Sequence, residues 1–305
     1  MPESWVLISG TSTGIGRATA LHLVSQGFNV IAGVRREADA NSLGAEAAGM
    51  GAGKARMLPV ILDVTDPSSI NATVVRAREL AGGSGLRAVI NNAGIVVPGP
   101  VEHVSPEDWR RQFDVNFFGM VELTRAALPL LRQAVVAHGL HVPRLMFVSS
   151  IGGRVSQPIL VPYTATKFAT NALGDGLRLE LRRQGIGVTV IEPGAIATEM
   201  WAKGDTSAQE FGPDHPARKL YDAEITGLTK AAKQAASRAI PAARAASDIL
   251  RALVAPRAPA RVLVGTDAKI LARLRSWLPL SWFDAILLRE YQVGGLPAKT
   301  PDISS

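Results

Sequence analysis

Three side chains in the stretch SSIGGRVSQPILVPYTATK, residues 149–167, have the types and spacing for proton chemistry. Tyr163 and Lys167 stand four apart where the pattern reads as the start of a helix, and Ser150 lies thirteen residues upstream. Positions four apart share one helix face, about one turn from each other. An ammonium held there favours the ionised form of a phenol whose ordinary pKa is about 10, so the pair can exchange a proton near neutral pH. An isolated YxxxK is equally well a surface lysine beside a half-buried tyrosine. The elements around it must decide.

Short apolar runs alternate with amphipathic segments along the chain. The strand candidates are Trp5–Ser9, Asn29–Val34, Arg56–Leu62, Leu86–Asn91, Arg144–Ser149, Gly187–Ile191 and Arg261–Val264. Most are rich in Val, Ile and Leu without polar alternation, as strands buried on both faces are. Helical patterns include Ile15–Gln26, Pro67–Ala81, Pro106–Val136 and Thr164–Gln184. Ser105-Pro106 opens one as a cap followed by proline, and Gly27 and Gly185 close others. This order predicts an α/β fold, a doubly wound parallel sheet of about seven strands with helices on both faces. One domain, residues 1–265, accounts for it, with a polar, turn-rich insertion near 195–240 placed to form a lid. Residues 266–305 read as a helical extension packed on the same domain.

Composition narrows the function. The chain has 305 residues, 47% hydrophobic and 19% charged, an ordinary globular balance. Its net charge of +7 is spread over 33 basic residues with no stripe and no reading module, so no nucleic-acid partner is expected. The absence of cysteine excludes disulfides and thiol catalysis, and the five histidines show no metal-ligand spacing, so no metal is expected. A strand pattern beginning at Trp5 leaves no room for a signal peptide, and a cytoplasmic enzyme is the default.

The first strand runs into SGTSTGIGRA, with Gly10, Gly14 and Gly16 between strand and helix. Gly10 permits the sharp turn, Gly14 lets backbone approach a phosphate, and Gly16 allows close helix–strand packing. With Ser12, Thr13 and Ile15 they form a candidate pyrophosphate cradle at a helix amino terminus. The second strand ends at Arg35-Arg36 rather than at a carboxylate. That pattern favours a ribose 2′-phosphate, hence NADP(H) over NAD(H).

These motifs together resemble the short-chain dehydrogenase/reductase family, in its compact branch with GxxxGxG and YxxxK signatures. The glycine loop, Asp63-Val64, NNAG at Asn91–Gly94, Asn116 in DVNFFG, Ser150, YTATK, and PGAIAT from Pro193 to Thr198 occur in that order. The resemblance implies a Rossmann-type fold and an NAD(P)(H)-dependent interconversion of an alcohol and its carbonyl. It implies that Tyr163 is the general acid or base, and that Lys167 holds the nicotinamide ribose and lowers the tyrosine pKa. Ser150 would bind the substrate oxygen, and Asn116 would anchor a water that relays the proton. Asp63 and Val64 would lie near the adenine, and Asn91, Ala93 and Gly94 would steady the cofactor. Pro193, Gly194, Ile196 and Thr198 would touch its nicotinamide end. Asn91 reads equally as a strand-packing residue, and Asp63 as the start of a turn before Pro67.

The segments expected around the substrate carry Ile95, Val96, Val97, Ile159, Leu160, Val161, Met200 and Trp201. Apolar lining points to a lipophilic alcohol or ketone, and the chain's similarity to the steroid- and retinol-dehydrogenase-like members of the family implies a steroid-, retinoid- or lipid-like one. Trp277, Trp282 and Phe283, with Lys269, Arg273, Arg275 and Arg289 around them, allow peripheral membrane contact. The segment Ser276–Leu288 is too short to span a bilayer. The resemblance further implies a homodimer or homotetramer through the helices around 106–136 and 164–184. The rival function is a non-catalytic NADP-binding sensor on the same fold. Such proteins commonly lose the Tyr or Lys that this chain keeps.

Overall fold

The computed structural model describes residues 4–51, 55–138, 143–198, 211–291 and 293. At its centre is a seven-stranded parallel sheet. In chain order its strands are β1 (Trp5–Ile8), β2 (Asn29–Val34), β3 (Met57–Ile61), β4 (Leu86–Asn91), β5 (Arg144–Val148), β6 (Gly187–Pro193) and, after a two-residue ladder of β7 (Ile196–Ala197) with β8 (Ile240–Pro241), β9 (Arg261–Val264). Their spatial order is β3-β2-β1-β4-β5-β6-β9. The order reverses between β1 and β4, where ligands of open α/β sheets bind beyond the carboxyl ends of the strands. All seven expected strands are present, each within two residues of its predicted ends.

Burial explains why these runs are apolar throughout. Along β1, Trp5 and Leu7 join one core, while Val6 and Ile8 join the other. The same alternation along β5 sends Leu145 and Phe147 one way, and Met146 and Val148 the other. Each face of the sheet is covered by helices, so a polar side chain on either would be desolvated. One face carries α1 (Gly14–Ser25) and α2 (Glu37–Gly49). The other carries α3 (Pro67–Ala81), where Asp66 caps by accepting from the Ser68 amide.

The helical pattern over 106–136 is not one regular helix. It resolves into α4 (Pro106–Phe113), a π-helical turn at Asp114–Phe118, and α5 (Gly119–His138). A π turn carries one residue more than the α repeat and re-aims the side chains on it. A periodicity argument cannot detect it, because apolar residues continue on both sides. Beyond β5 lie a 3₁₀ turn at Ile151–Gly153 and α6 (Val161–Glu180). Pro162 sits in the first turn of α6, where its missing N–H costs nothing.

Past β7, residues 199–210 fall outside the described residues, so Met200, Trp201 and the lid's first half are not placed. The chain resumes at Phe211 and enters α7 (Arg218–Arg238). Phe211, Ala217 and Ile225 there form a small core with Ile159. Then α8 (Ala242–Val254) packs on the sheet face beside α1. The end of the described chain folds as α9 (Thr266–Trp277) and α10 (Leu280–Glu290). Ala268, Ala272 and Phe283 from these two helices pack on Ile151 and Val155.

Candidate active site

The glycine loop leaves β1 with Gly10 at φ +69° and Gly14 at φ +59°, the left-handed region that favours glycine. A Cβ at Gly10 would lie 2.7 Å from the Ala93 Cα, and one at Gly16 would collide with the Gly10 carbonyl oxygen. The loop is therefore as tight as the three glycines suggest. Thr11 fastens it to β2 through two bonds to the Gly33 carbonyl, from its amide at 2.9 Å and its hydroxyl at 3.0 Å. Helix α1 then starts at Gly14 with Thr13 at the N-cap position. No side chain caps it and no acidic residue occupies its first turn. Its leading N–H groups and positive dipole end thus remain available to an anion.

Three residues outside the expected set hold this loop. Asn92 donates its side-chain amide to the Ser9 carbonyl at 3.0 Å and to the Gly10 carbonyl at 2.8 Å. Ser9 returns the clamp, its hydroxyl accepting from the amides of Asn92 and Ala93. Arg17, one turn into α1, reaches back to the Ser12 carbonyl at 3.3 Å and pairs with Glu46 of α2. Asn92 was recognisable as the second residue of NNAG. Arg17 carries no signal beyond lying one residue past the last glycine.

The other expected binding residues divide by role. Arg35 and Arg36 are both exposed at the end of β2. Arg36 pairs with Asp39 in the first turn of α2 at 2.9 Å, whereas the charge of Arg35 acts on Asp63. Burial would push the Asp63 carboxyl up, but the Thr65 hydroxyl and amide that donate to it, with Arg35, hold it below the ordinary value. Asp63 thus starts a turn, with the Arg35 charge close to it. Val64 is buried against Gly119, where a Cβ would meet it at 2.8 Å. Asn91 is fully buried and donates to the Thr124 hydroxyl at 3.1 Å, which makes it a packing residue between β4 and α5. Pro193 ends β6, the Gly194 amide donates to the Val264 carbonyl, and Ile196 is buried. Thr198 lies over the glycine loop, 3.1 Å from where a Gly14 Cβ would be. Loop and PGAIAT segment therefore lie close against each other at the carboxyl edge of the sheet.

Ser150, Tyr163 and Lys167 meet at the carboxyl end of β5. The Ser150 hydroxyl accepts from the Gly152 amide at 3.0 Å and forms a hydrogen bond with the Tyr163 phenol. The Lys167 ammonium lies 5.5 Å from the centre of the Tyr163 ring and donates to the Val148 carbonyl at 2.9 Å. Lys167 is only 4% exposed, and burial pulls its pKa down to about 8. Burial also pushes the Tyr163 phenol up, with the Ser150 hydrogen bond only partly opposing it. This differs from the lowering expected of Lys167. In the chain alone desolvation outweighs the ammonium, and the phenol stays protonated.

Asn116 sits in the π turn. Its amide donates to the Ile95 carbonyl at 2.9 Å and to the Thr166 hydroxyl at 3.2 Å, while its oxygen accepts from the Ile95 amide at 2.8 Å. It joins the segment after NNAG to the residue beside Lys167. Gly94 is its neighbour, 3.4 Å from the Asn116 oxygen at the nearest Cβ approach. Across the cleft, the Gly99 amide donates to the Ile159 carbonyl at 2.7 Å. Ile159 has φ +64°, which costs energy for a β-branched residue, and Phe211 and Ile225 pack on it. Val97, Ile159 and Leu160 are buried here.

A doubly wound sheet with an anion-ready glycine loop at its switch point, and a Ser–Tyr–Lys cluster one strand beyond β4, defines a dinucleotide-linked oxidoreductase architecture. Comparison with known proteins agrees. The family model described as short chain dehydrogenase matches residues 4–209. The NADPH-dependent 3-dehydrocapnine reductase of Ornithobacterium rhinotracheale is 28% identical, over 94% of this chain and 96% of its own. Oxidoreductase BOA17 of Botryotinia fuckeliana is 34% identical, over 88% of this chain and 90% of its own. The crystal structure of a short-chain dehydrogenase from Streptomyces avermitilis superposes with a TM-score of 0.73 at 28% identity, covering 95% of this chain and 97% of that one. The chain belongs to the short-chain dehydrogenase/reductase family of oxidoreductases, which use a nicotinamide cofactor.

Proposed function

We propose that this protein reduces a carbonyl to an alcohol, or runs the reverse oxidation, on a lipophilic steroid-, retinoid- or lipid-like substrate with NADP(H) preferred over NAD(H). The observation that carries the reading is the Ser150–Tyr163 hydrogen bond beside buried Lys167, at the same carboxyl edge of the sheet as the glycine loop. When bound there, the nicotinamide ring donates or accepts the hydride. Tyr163, kept protonated by burial, gives its phenolic proton to the carbonyl oxygen in reduction and takes it back in oxidation. Ser150 donates to the same oxygen as charge builds on it. Lys167 binds the ribose and, once a positive ring lies alongside, lowers the tyrosine pKa from its raised value. Asn116, fixed on Ile95, holds the water that returns a proton from solvent.

Arg35 supports the NADP preference, since Arg36 is already engaged by Asp39. The NADPH dependence in the name of the Ornithobacterium relative points the same way. For the substrate, the apolar side chains of Val97, Ile159, Leu160 and Phe211 offer few groups that would orient a sugar. The exposed side chains of Phe118 and Phe168, on the π turn and α6, suit a contact between copies in a dimer or tetramer. Among the described residues no helix is long and apolar enough to cross a membrane. The exposed corner between α9 and α10 instead suits peripheral contact with a bilayer.

The test is titration with NADPH and NADH, then NADPH oxidation against aliphatic, steroid and retinoid carbonyls. Tighter NADPH binding is expected, reduced toward the NADH value in Arg35→Ala. Turnover of one lipophilic class is expected, falling at least a thousandfold in Tyr163→Phe while NADPH still binds. Equal affinities unchanged in Arg35→Ala would remove the phosphate assignment. Tight binding without turnover of any class would return weight to the sensor.

A further inference from the structure

Glu192 is the last residue before the Pro193-Gly194 turn and is fully buried, yet nothing in the proposed chemistry uses it. Its carboxylate collects more donors than any other acid among the described residues. Arg154 Nε donates to both oxygens at 2.8 and 3.0 Å, and Arg154 Nη2 lies 2.8 Å from Oε2. Arg261 Nη1 reaches Oε1 at 2.6 Å, and Asn171 Nδ2 reaches it at 2.9 Å. Arg261 also pairs with Asp175, so two guanidinium groups face two carboxylates. A buried ion cluster of this kind contributes little stability over apolar packing, because desolvating its members is costly. What it does provide is a fixed geometry.

That geometry is tied to the serine. The amide of Asn171 that donates to Glu192 also donates to the Gly153 carbonyl at 2.9 Å. Arg154 follows Gly153 directly. Glu192 therefore grips both residues that close the 3₁₀ turn at Ile151–Gly153, whose amides from Gly152 and Gly153 bind the Ser150 hydroxyl and carbonyl. Gly153 is pressed so close that a Cβ would stand 2.7 Å from Asn171 Nδ2 and 2.7 Å from the Lys167 carbonyl oxygen. The opposite side of the turn is covered by the apolar contact of Ile151 and Val155 with α9 and α10. An oriented hydroxyl must be held to a fraction of an ångström, and a misplacement of about 1 Å can cost a hundredfold in rate.

We infer that Glu192, acting through Arg154 and Asn171, is a positioning residue that sets the Ser150 hydroxyl against Tyr163. The inference rests on the proposed role of Ser150 and adds a residue that no motif of the sequence marks.

A double-mutant cycle tests it. Glu192→Gln and Arg154→Ala are each combined with Ser150→Ala, and kcat, KM and NADPH affinity are measured for singles and doubles, with thermal melts as a folding check. Arg154→Ala leaves Arg261 and Asn171 on the carboxylate, so it retains a fold even where Glu192→Gln does not. Each single change is expected to lower kcat about ten- to hundredfold, with NADPH affinity within twofold of the parent. In the Ser150→Ala background the same changes are expected to cost less than twofold. Full losses that persist without Ser150, or singles that leave kcat intact, would overturn the positioning role. A Ser150→Ala protein with undiminished kcat would instead show that the serine assignment itself was mistaken, which separates the two failures.

Discussion

Lys167 is a site residue whose energetics the fold changes strongly. Its ammonium is buried with one backbone partner, the Val148 carbonyl, and its pKa sits at about 8 against 10.5 for a free lysine. Between those values the unfolded chain binds a proton that the folded chain does not, so stability rises with pH across that window. Below about pH 8 both states are charged and the cost of burying the ammonium is present in full. The sign is the reverse of that for a lysine gaining a carboxylate partner. In the cofactor-free protein, urea unfolding should show the parent gaining on the order of 3 kcal/mol over Lys167→Met between pH 7.5 and 10.5. Parallel pH profiles would mean that the ammonium is better solvated than its burial indicates.

At the scale of elements, the last helices do more than cap the domain. Asp267, in the first turn of α9, accepts from the Ala195 amide at 2.7 Å, and a Cβ on Gly194 would strike its carboxylate. The PGAIAT segment is thus held in place by a residue 72 positions further along the chain. Asp267→Ala should weaken NADPH binding five- to twentyfold and lower the melting temperature by a few degrees. Asp267→Asn, which keeps the acceptor oxygen, should recover most of both. Titration calorimetry with the three proteins decides this, and unchanged affinity in Asp267→Ala would uncouple α9 from the cofactor segment. None of this was readable from residues 266–305, whose pattern shows only an amphipathic helix. By contrast the strands β1 to β6, Gly10, Gly14, Gly16 and the YxxxK pair were legible, because each depends on neighbours close in sequence. Arg17 and Glu192 were not, because their partners lie on other helices and strands and only the folded sheet brings them together.

At the scale of the whole molecule, basic charge meets exposed aromatic surface at the corner between α9 and α10. Lys269, Arg273 and Trp277 follow one another at four-residue steps on one face of α9, and Trp277 and Trp282 are 86% and 67% exposed. Aromatic rings beside cations suit the headgroup region of an anionic bilayer. The inner side of the same helices lines the serine turn through Phe283, Ala272 and Ala268. In co-sedimentation, vesicles containing phosphatidylglycerol should retain the protein several-fold better than phosphatidylcholine alone. Trp277→Ala with Trp282→Ala should remove the difference while NADPH binding persists. Equal behaviour on both vesicles would leave the corner to another copy of the chain, which light scattering would register as a change of mass in the double variant.

The π turn at Asp114–Phe118 has a consequence for how this chain can vary in length. A regular α-helix advances about 1.5 Å and 100° for each residue, so losing one residue there rotates everything on one side against everything on the other. Ahead of the turn stands Gln112, which binds the Val97 amide and the Ile95 carbonyl, and behind it stand Met120 and Leu123 in the sheet core. The surplus residue is what lets both ends face inward at once, with Asn116 projecting between them. Single-residue deletions should be as damaging here as loss of the side chain itself, whereas the same deletion in the exposed turn at Gly82–Ser84 meets no such phase constraint.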